Sequence, residues 1–366
     1  MAARVVVVYF SRLGAPLRAH EKAILDASAQ RIAELTGWTF AGDCHGRFES
    51  PQQIFYVPDD TLLTDELSAL GIRSESDVFG GVVPYPFAKT KAVTHSLVDS
   101  RAERPDGWSE SFARRVRSVV LPGYTAFSLR DIRAGAKRML SQGPLRLKKA
   151  LACGGGGQRV ATTAHQVEAF VEVIPPEEIA QFGIVLEAEL RDVSTYSVGH
   201  IKVGDMAIAY HGIQQTATAP GGRSVYGGSR LVCVRGGWEA LDALQMPKAT
   251  RLLVTQARSY DLATREYPGF LASRRNYDVG VGIDASGRRR SGVFEASWRC
   301  GGGSTAELAA LRALSRDPRL SVVEASAVKE FGTRVVAPPD AVIDFRGEDP
   351  MDGPVLRYTR IQSQEF

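Results

Sequence analysis

The segment Gly143-Pro144-Leu145-Arg146-Leu147-Lys148-Lys149-Ala150-Leu151-Ala152-Cys153-Gly154-Gly155-Gly156-Gly157-Gln158 constrains this chain more than any other. It reads as a short strand with a lysine near its end, followed by a four-glycine loop. Without a Cβ, successive glycines let backbone N–H groups turn inward and crowd around an anion. Lys148 adds a full positive charge just upstream. Together they describe a device for holding phosphate, that of a nucleotide above all. A plain flexible turn is the alternative for four glycines in isolation, and the order of the surrounding features decides between the two.

The chain has 366 residues, 44% of them apolar and 23% charged, which gives room for two or three domains or lobes. A net charge of +4, with Arg288-Arg289-Arg290 and Arg274-Arg275 as its densest basic runs, does not suggest a nucleic-acid partner. Cys44, Cys153, Cys233 and Cys300 lie far apart, with neither a C-x-x-C pair nor metal-ligand spacing, so reduced thiols in a cytosolic protein are expected. Residues 5–10 are too short an apolar run for a signal peptide and read as a buried first strand. No apolar run is long enough to span a membrane. A cytoplasmic chain with no membrane or nucleic-acid partner is the expectation.

Residues 5–9 form a β-branched run suited to a central parallel strand. A helix over 17–35 follows, with Leu25, Ala29 and Ile32 along one side and Gly37 closing it. Strand then helix argues for an α/β N-terminal domain. Residues 54–57 and 78–83 are further short strands, and 66–70 a helix ending at Gly71. Helices are expected over 90–98, over 109–120, and from a capping box at Ser128 and Asp131 up to Gly143-Pro144. Beyond the glycine loop, 163–171 reads as a helix and 183–190, 193–203 and 206–214 as strands, with a hairpin turn at Gly204-Asp205. The Gly-, Ser- and Thr-rich stretch 216–228 reads as a mobile loop, and the polar, glycine-rich segment 211–229 around it as able to fold over a substrate. Residues 231–234 are a strand, 238–262 are helical with a break near Pro247, 277–283 and 292–297 are paired strands, and 305–314 is a helix.

Several familiar chemistries have no anchor here. The pattern G-x-x-x-x-G-K-[ST] is absent, as are H-E-x-x-H and G-x-S-x-G. Gly280-Val281-Gly282-Ile283-Asp284-Ala285 matches G-x-G-x-x-A formally, but it lies inside a strand and precedes a turn, so its glycines read as structural. Arg223, Arg230, Arg274, Arg275 and Arg299 read as lining a second surface suited to carboxylate or phosphate, with solvated arginine as the bland alternative. His95 and His211 read as structural or surface residues.

The order of the remaining features is more informative. Lys91 opens a helix, Lys148 precedes the glycines, and the acidic strand Val185-Leu186-Glu187-Ala188-Glu189-Leu190 follows. Near the end, Phe294-Glu295-Ala296-Ser297-Trp298-Arg299 sits beside a strand bearing Asp278. Over roughly residues 85–315 this ordered set resembles the ATP-grasp superfamily. There, one lysine precedes a helix and a second lies on the strand before a glycine-rich lid. A Val-Glu-type strand touches adenine and ribose, and an acidic strand with a Glu-x-Asn motif holds magnesium. The whole chain also resembles a family of bacterial proteins of unknown function, DUF3182, through Asp77-Val78-Phe79-Gly80-Gly81-Val82-Val83-Pro84 and Thr90-Lys91-Ala92-Val93-Thr94-His95.

The resemblance implies ATP and Mg2+ as cofactors. Lys91, Lys148 and the loop Gly154, Gly155, Gly156, Gly157 and Gln158 would hold the phosphates, and Glu187, Glu189 and Leu190 would border the adenine. Asp278, Glu295 and Ser297 would hold magnesium, and Arg299 would be the catalytic group on the transferred phosphoryl or the acyl phosphate. Two neighbouring carboxylates repel unless a hard cation relieves them; the alternative has Asp278 capping a turn and Glu295 paired with Arg299. Ser297 stands where the superfamily has asparagine, and a hydroxyl is the weaker magnesium ligand. Ser194, Thr195 and Tyr196 occupy the place of its ribose-binding acid, with Asp192 the nearest carboxylate.

The expectation is an α/β chain with the ATP-grasp fold: an N-terminal pre-ATP-grasp-like α/β domain at 1–88, the lid and central subdomain at 89–205, a C-terminal subdomain at 206–345 and a tail at 346–366. The implied function is an ATP-dependent ligase that activates a small-molecule carboxylate as an acyl phosphate for attack by an amine or other nucleophile, in a chain able to form a homodimer. A nucleotide-binding regulatory or scaffold protein lacking ligase activity is the second reading. An NAD(P)-linked enzyme rests only on Gly280 and Gly282.

Overall fold

The computed structural model describes residues 4–11, 17–90, 94–151 and 157–365. The chain opens with strand β1 (Arg4–Phe10), helix α1 (Ala19–Thr36) and strands β2 (Thr39–His45) and β3 (Gln53–Pro58). The valines of β1 are fully buried, and both β2 and β3 pair parallel to it, in the order β2-β1-β3. A central parallel strand is covered on both faces, which is why its sequence is a continuous β-branched run. Gly37, at φ 71°, supplies the left-handed residue that ends α1. Strand β4 (Leu62–Leu63), helix α2 (Thr64–Leu70) and strand β5 (Gly81–Val83) complete this lobe.

Helix α3 (Glu110–Val116) leads into a second lobe. Its sheet has the order β6-β9-β7-β8, from β6 (Gly123–Ala126), β7 (Leu145–Lys149), β8 (Gln158–Ala161) and β9 (Ile184–Ala188). The helices here are α4 (Leu129–Leu140), α5 (Ala164–Val171) and α6 (Pro176–Phe182). Leu145, Leu147, Ile184 and Leu186 bury one sheet face against Ile132, Val167 and Ile179. The opposite face is therefore the one that carries Arg146, Lys148, Glu187 and Glu189.

The third lobe is built on an eight-stranded antiparallel sheet. Its first strands are β10 (Arg191–Val203), β11 (Met206–Thr218) and β12 (Ser224–Arg235), and helices α7 (Trp238–Ala243) and α8 (Lys248–Ala263) follow. Then come β13 (Leu271–Ala272), β14 (Arg274–Ile283), β15 (Arg289–Ser297), α9 (Ser304–Arg316), β16 (Val322–Phe331), β17 (Val342–Asp349) and β18 (Gly353–Glu365). The sheet order is β15-β14-β10-β11-β12-β16-β18-β17. One face packs with α3 and α8 through Val198, Tyr260, Tyr277 and Val293; the other packs with α1 and α9 through Ile201, Tyr210, Leu231 and Leu311. The short sheet β13-β5-β4 ties the first lobe to the third. A Cβ on Gly81 would stand 2.5 Å from the Trp298 Cβ, so the glycines of the 77–84 motif serve this close approach.

Four expectations are corrected. His95, Ser96, Leu97 and Val98 are not α-helical: the Ser96 carbonyl accepts from the Thr125 amide at 3.0 Å, and His95 turns into the second lobe. The stretch 216–228 is mostly hairpin, paired through Thr218 and Ser224, and Gly227 and Gly228 serve a bulge and close sheet packing where Cβ atoms would strike backbone. Residues 346–366 do not form a tail, because Gly353–Glu365 pairs with both β16 and β17 inside the large sheet. The 205/206 boundary falls in the β10–β11 turn, so β10 belongs with the large sheet and not with the lid.

Candidate functional site

On the open face of the second lobe, Arg146 and Lys148 sit two residues apart on β7 and face the same way, as do Glu187 on β9 and Glu189 just past its end. The antiparallel register sets Arg146 opposite Glu187, and the long side chains pair diagonally. Arg146 grips Glu189 with two nitrogens, at 2.8 and 2.5 Å, and Lys148 Nζ is in ion-pair contact with Glu187 Oε1. His95 Nε2 lies 3.2 Å from the other Glu187 oxygen. Lys148, Glu187 and His95 are each almost wholly buried. Burial alone would raise the Glu187 pKa, but the Lys148 ammonium, and then His95, outweigh it and hold the carboxyl down at about 2. Gly123 admits this arrangement: a Cβ there would stand 2.5 Å from the Leu186 carbonyl and 3.0 Å from the His95 ring.

The facing wall is β14 and β15. Asp278 and Glu295 are direct cross-strand partners, and the register slips between Asp278 and Val279 so that Phe294 is an extra residue on β15. The Phe294 ring lies across Gly280, where a Cβ would come within 1.8 Å of its Cζ. Lys148 Nζ stands 5.1 Å from the centre of that ring, so the lid face and the carboxylate pair bound one cleft. Asp278 Oδ1 accepts from the Gln214 and Asn276 amides, both at 2.8 Å. The Tyr210 hydroxyl donates to Glu307 at 2.7 Å and lies 3.2 Å from the Asn276 amide oxygen, and Glu307 holds the buried Arg274 guanidinium at 2.8 and 2.7 Å. Arg274 in turn donates to the Arg299 carbonyl, which fixes the chain just past Ser297.

The expected residues fall as follows. Lys91, Gly154, Gly155 and Gly156 lie outside the described residues. Gly157 is left-handed at φ 63°, its carbonyl accepts from Lys149, and Gln158 pairs with Lys148 and takes a 3.4 Å contact from Arg146. Leu190 is buried and Asp192 is exposed at φ 53°. Ser297 faces Asn276 across the β14–β15 ladder. Arg299 stands 3.7 Å from Asp60, a carboxylate that Lys89 also holds, at 2.5 Å. Asp278 lies inside β14 and caps no turn. The arginines expected on one surface are dispersed: Arg274 pairs with Glu307, Arg275 with Asp261, Arg230 with Glu324 and Arg223 with Asp352. The Gly280 and Gly282 pattern is explained by packing, since a Cβ on Gly282 would stand 2.7 Å from the Arg191 carbonyl.

Asp278, Glu295 and Ser297 offer only oxygen donors. Groups of three or more His, Cys, Asp or Glu placed to hold a metal ion are what the described residues lack; two carboxylates and a hydroxyl fit a hard divalent ion that keeps waters and shares phosphate oxygens, as magnesium does. Among the described residues no helix is long and apolar enough to cross a membrane.

Solved structures share this architecture. A phosphoribosylamine–glycine ligase from Thermotoga maritima is 14% identical, with 99% of this chain and 93% of that one covered and a TM-score of 0.53. A biotin carboxylase from Campylobacter jejuni, in a β,γ-ATP complex, is 11% identical over 97% and 87%, with a TM-score of 0.54. A carboxyaminoimidazole ribonucleotide synthase from Aspergillus clavatus, complexed with ATP, is 12% identical over 98% and 94%, with a TM-score of 0.52. The fold is the ATP-grasp fold. A search of curated proteins finds no match. A family model described as "Protein of unknown function (DUF3182)" matches residues 8–359.

Proposed function

This chain belongs to the DUF3182 family, and from that premise and its ATP-grasp fold we propose that it is an ATP-dependent ligase. It would activate a carboxylate as an acyl phosphate and pass the acyl group to an amine or other nucleophile. One observation carries the reading: Lys148 and Glu187 on the lid face Phe294, directly beside the cross-strand pair Asp278 and Glu295. A cation, an apolar ring and a carboxylate pair in one cleft match, in that order, the phosphates, base and metal of a nucleotide–magnesium complex.

Each residue has a physical task. Glu187, kept ionised by Lys148 and His95, is an acceptor for an exocyclic amino group such as that of adenine. Phe294 gives the base an apolar surface, and Lys148 draws the phosphates toward it. Gly157, with Gly154, Gly155 and Gly156, would supply backbone donors, and Lys91 a further cation. Asp278 and Glu295, with Ser297, would hold magnesium, which neutralises phosphate charge when bound. Gln214 and Asn276 orient Asp278 for that task. The substrate carboxylate oxygen attacks the γ-phosphorus and ADP leaves; the nucleophile then attacks the acyl carbon and phosphate leaves with the bonding electrons. Arg299 would stabilise the charge that builds on the transferred group.

The test is ADP release by the full chain with ATP, magnesium and a panel of small carboxylates and amines. The reading predicts turnover that needs one member of each class and falls at least about 100-fold in Glu295→Gln, the scale of removing a transition-state charge partner. Turnover at the wild-type rate in Glu295→Gln would remove that residue from the site. Tight ATP binding with no turnover on any pair would favour the nucleotide-binding regulatory reading, which the serine at position 297 motivates.

A further inference from the structure

A second polar centre lies beneath the N-terminus of α1, apart from the nucleotide cleft. It gathers His20 from α1, Lys329 from β16, Asp349 from β17, Asp352 from the following turn and Arg357 from β18. All five are more than nine-tenths buried. Lys329 Nζ lies 3.4 Å from His20 Nε2, and Arg357 Nη1 lies 3.4 Å from His20 Nδ1. Asp349 Oδ2 stands 3.5 Å from Nε2 and has no hydrogen-bond partner, while its Oδ1 accepts from the Met351 and Asp352 amides.

These contacts cannot all be satisfied. A neutral imidazole has one donor nitrogen and one acceptor nitrogen. If Nε2 carries the hydrogen, it faces Asp349 and leaves Lys329 without an acceptor. If Nδ1 carries it, Lys329 is served and Arg357 is not. The nearest carboxylate to Lys329 is Asp352 at 3.7 Å, and that group is already held by Arg18 at 2.9 Å and Arg223 at 2.7 Å. Among the described residues Arg357 has no ion-pair partner; beside His20 it reaches the Gly302 carbonyl at 3.4 Å. A buried cation short of counter-charge is costly; Lys329, which shares Asp352 with two arginines, and Arg357, which has no ion pair, lie side by side on the arm of the centre away from Asp349 and mark a place that an anion would complete.

The charges around the pocket agree. Burial, then Lys329 and Arg357, hold the His20 pKa down at about 4. Burial, then Arg18 and Arg357, lower that of Lys329, and burial lowers that of Arg357. Glu21 lies one residue beyond His20, but it is engaged by Arg18. The positive end of the 18-residue α1 adds to the field.

We propose that Lys329, Arg357 and His20 form an oxyanion subsite that takes a carboxylate or phosphate group of the second substrate. The Gly301-Gly302-Gly303 turn separates it from the Asp278–Asn276–Tyr210–Glu307 chain, with Tyr226 packed against Gly302 between them. The assignment to a substrate rests on the ligase reading; the anion site itself does not.

The test is the melting temperature of the full chain in a phosphate-free buffer, without nucleotide, titrated with inorganic phosphate and separately with succinate, and with chloride as the ionic-strength control. The wild type should gain stability with one or both oxyanions beyond the chloride effect, and which of them acts distinguishes a phosphate from a carboxylate site. Lys329→Met and Arg357→Met should weaken that response about tenfold or more in apparent Kd, and Lys329→Met should melt no lower than the wild type, because it removes a poorly satisfied buried charge. Wild type unresponsive to both anions, or variants that respond equally, would overturn the subsite. Loss of stability in Lys329→Met with no change in anion response would make the cluster structural only. ATP–magnesium binding is measured separately, so failure there strikes the ligase reading and leaves this result standing.

Discussion

Glu187→Gln keeps the shape of the side chain at the centre of the lid face and removes its charge. Lys148 and His95 then remain buried against an uncharged amide. The Glu187 carboxyl is held at about 2 against an ordinary 4.5, and at 1.36 kcal/mol per unit that difference is worth about 3 kcal/mol at neutral pH. Breaking a buried pair by removing one partner falls in the same range, about 3–5 kcal/mol. Hydrogen exchange of the β7 and β9 amides reads the loss locally and should speed up about 100-fold. The double variant Lys148→Met with Glu187→Met removes both charges and should recover most of the protection. The pH dependence has a definite sign. A carboxyl whose folded pKa is depressed stabilises above its unfolded value and loses that stabilisation as pH falls toward the folded one. The gap between wild type and Glu187→Gln in urea midpoint should therefore be full at pH 7 and shrink below about pH 4.5. A change of less than about tenfold in exchange at neutral pH, or a double variant as impaired as the single one, would refute the assignment of this pair as the lid's electrostatic centre.

Gly280→Ala places a Cβ against the Phe294 ring and must displace it; circular dichroism should stay native while ATP affinity falls about tenfold through loss of the base-binding surface. Glu307→Ala leaves Arg274 buried and unpaired and Tyr210 without its acceptor, so it should cost about 3–5 kcal/mol in urea unfolding, and Glu307→Gln less.

Much of this arrangement is legible in the sequence because it is local. The β1 valines, the glycines after α1 and α2, Ser128 and Thr163 as caps, and the break at Pro247 each announce their element through period or turn chemistry. Strand β2 is not legible, since it is an edge strand with no buried residue to mark it. Nor are β17 and β18, whose Asp344 and Arg357 turn inward to Arg31 and His20 of α1, so that charged residues stand where apolar ones would mark the alternation. In the candidate site, Asp278, Glu295 and Ser297 are singled out by the resemblance to the ATP-grasp superfamily, and Asn276 is recoverable because residues two apart on a strand share a face. Gln214 and Glu307 are not recoverable, because sheet order brings in the first and the packing of α9 on the sheet the second, both from far along the chain. His95 meets Glu187 across 92 residues, a contact that no local pattern carries. Runs of glycine and serine mislead at 216–228, where Gly221 and Gly222 make a short turn while Gly227 and Gly228 serve close strand packing.

Calorimetric titration of ATP into the full chain, with and without magnesium, tests the nucleotide–metal cleft most directly. The account predicts binding that magnesium strengthens in the wild type, and no magnesium enhancement in Asp278→Asn with Glu295→Gln. Identical ATP binding in both proteins, or none in the wild type, would contradict it.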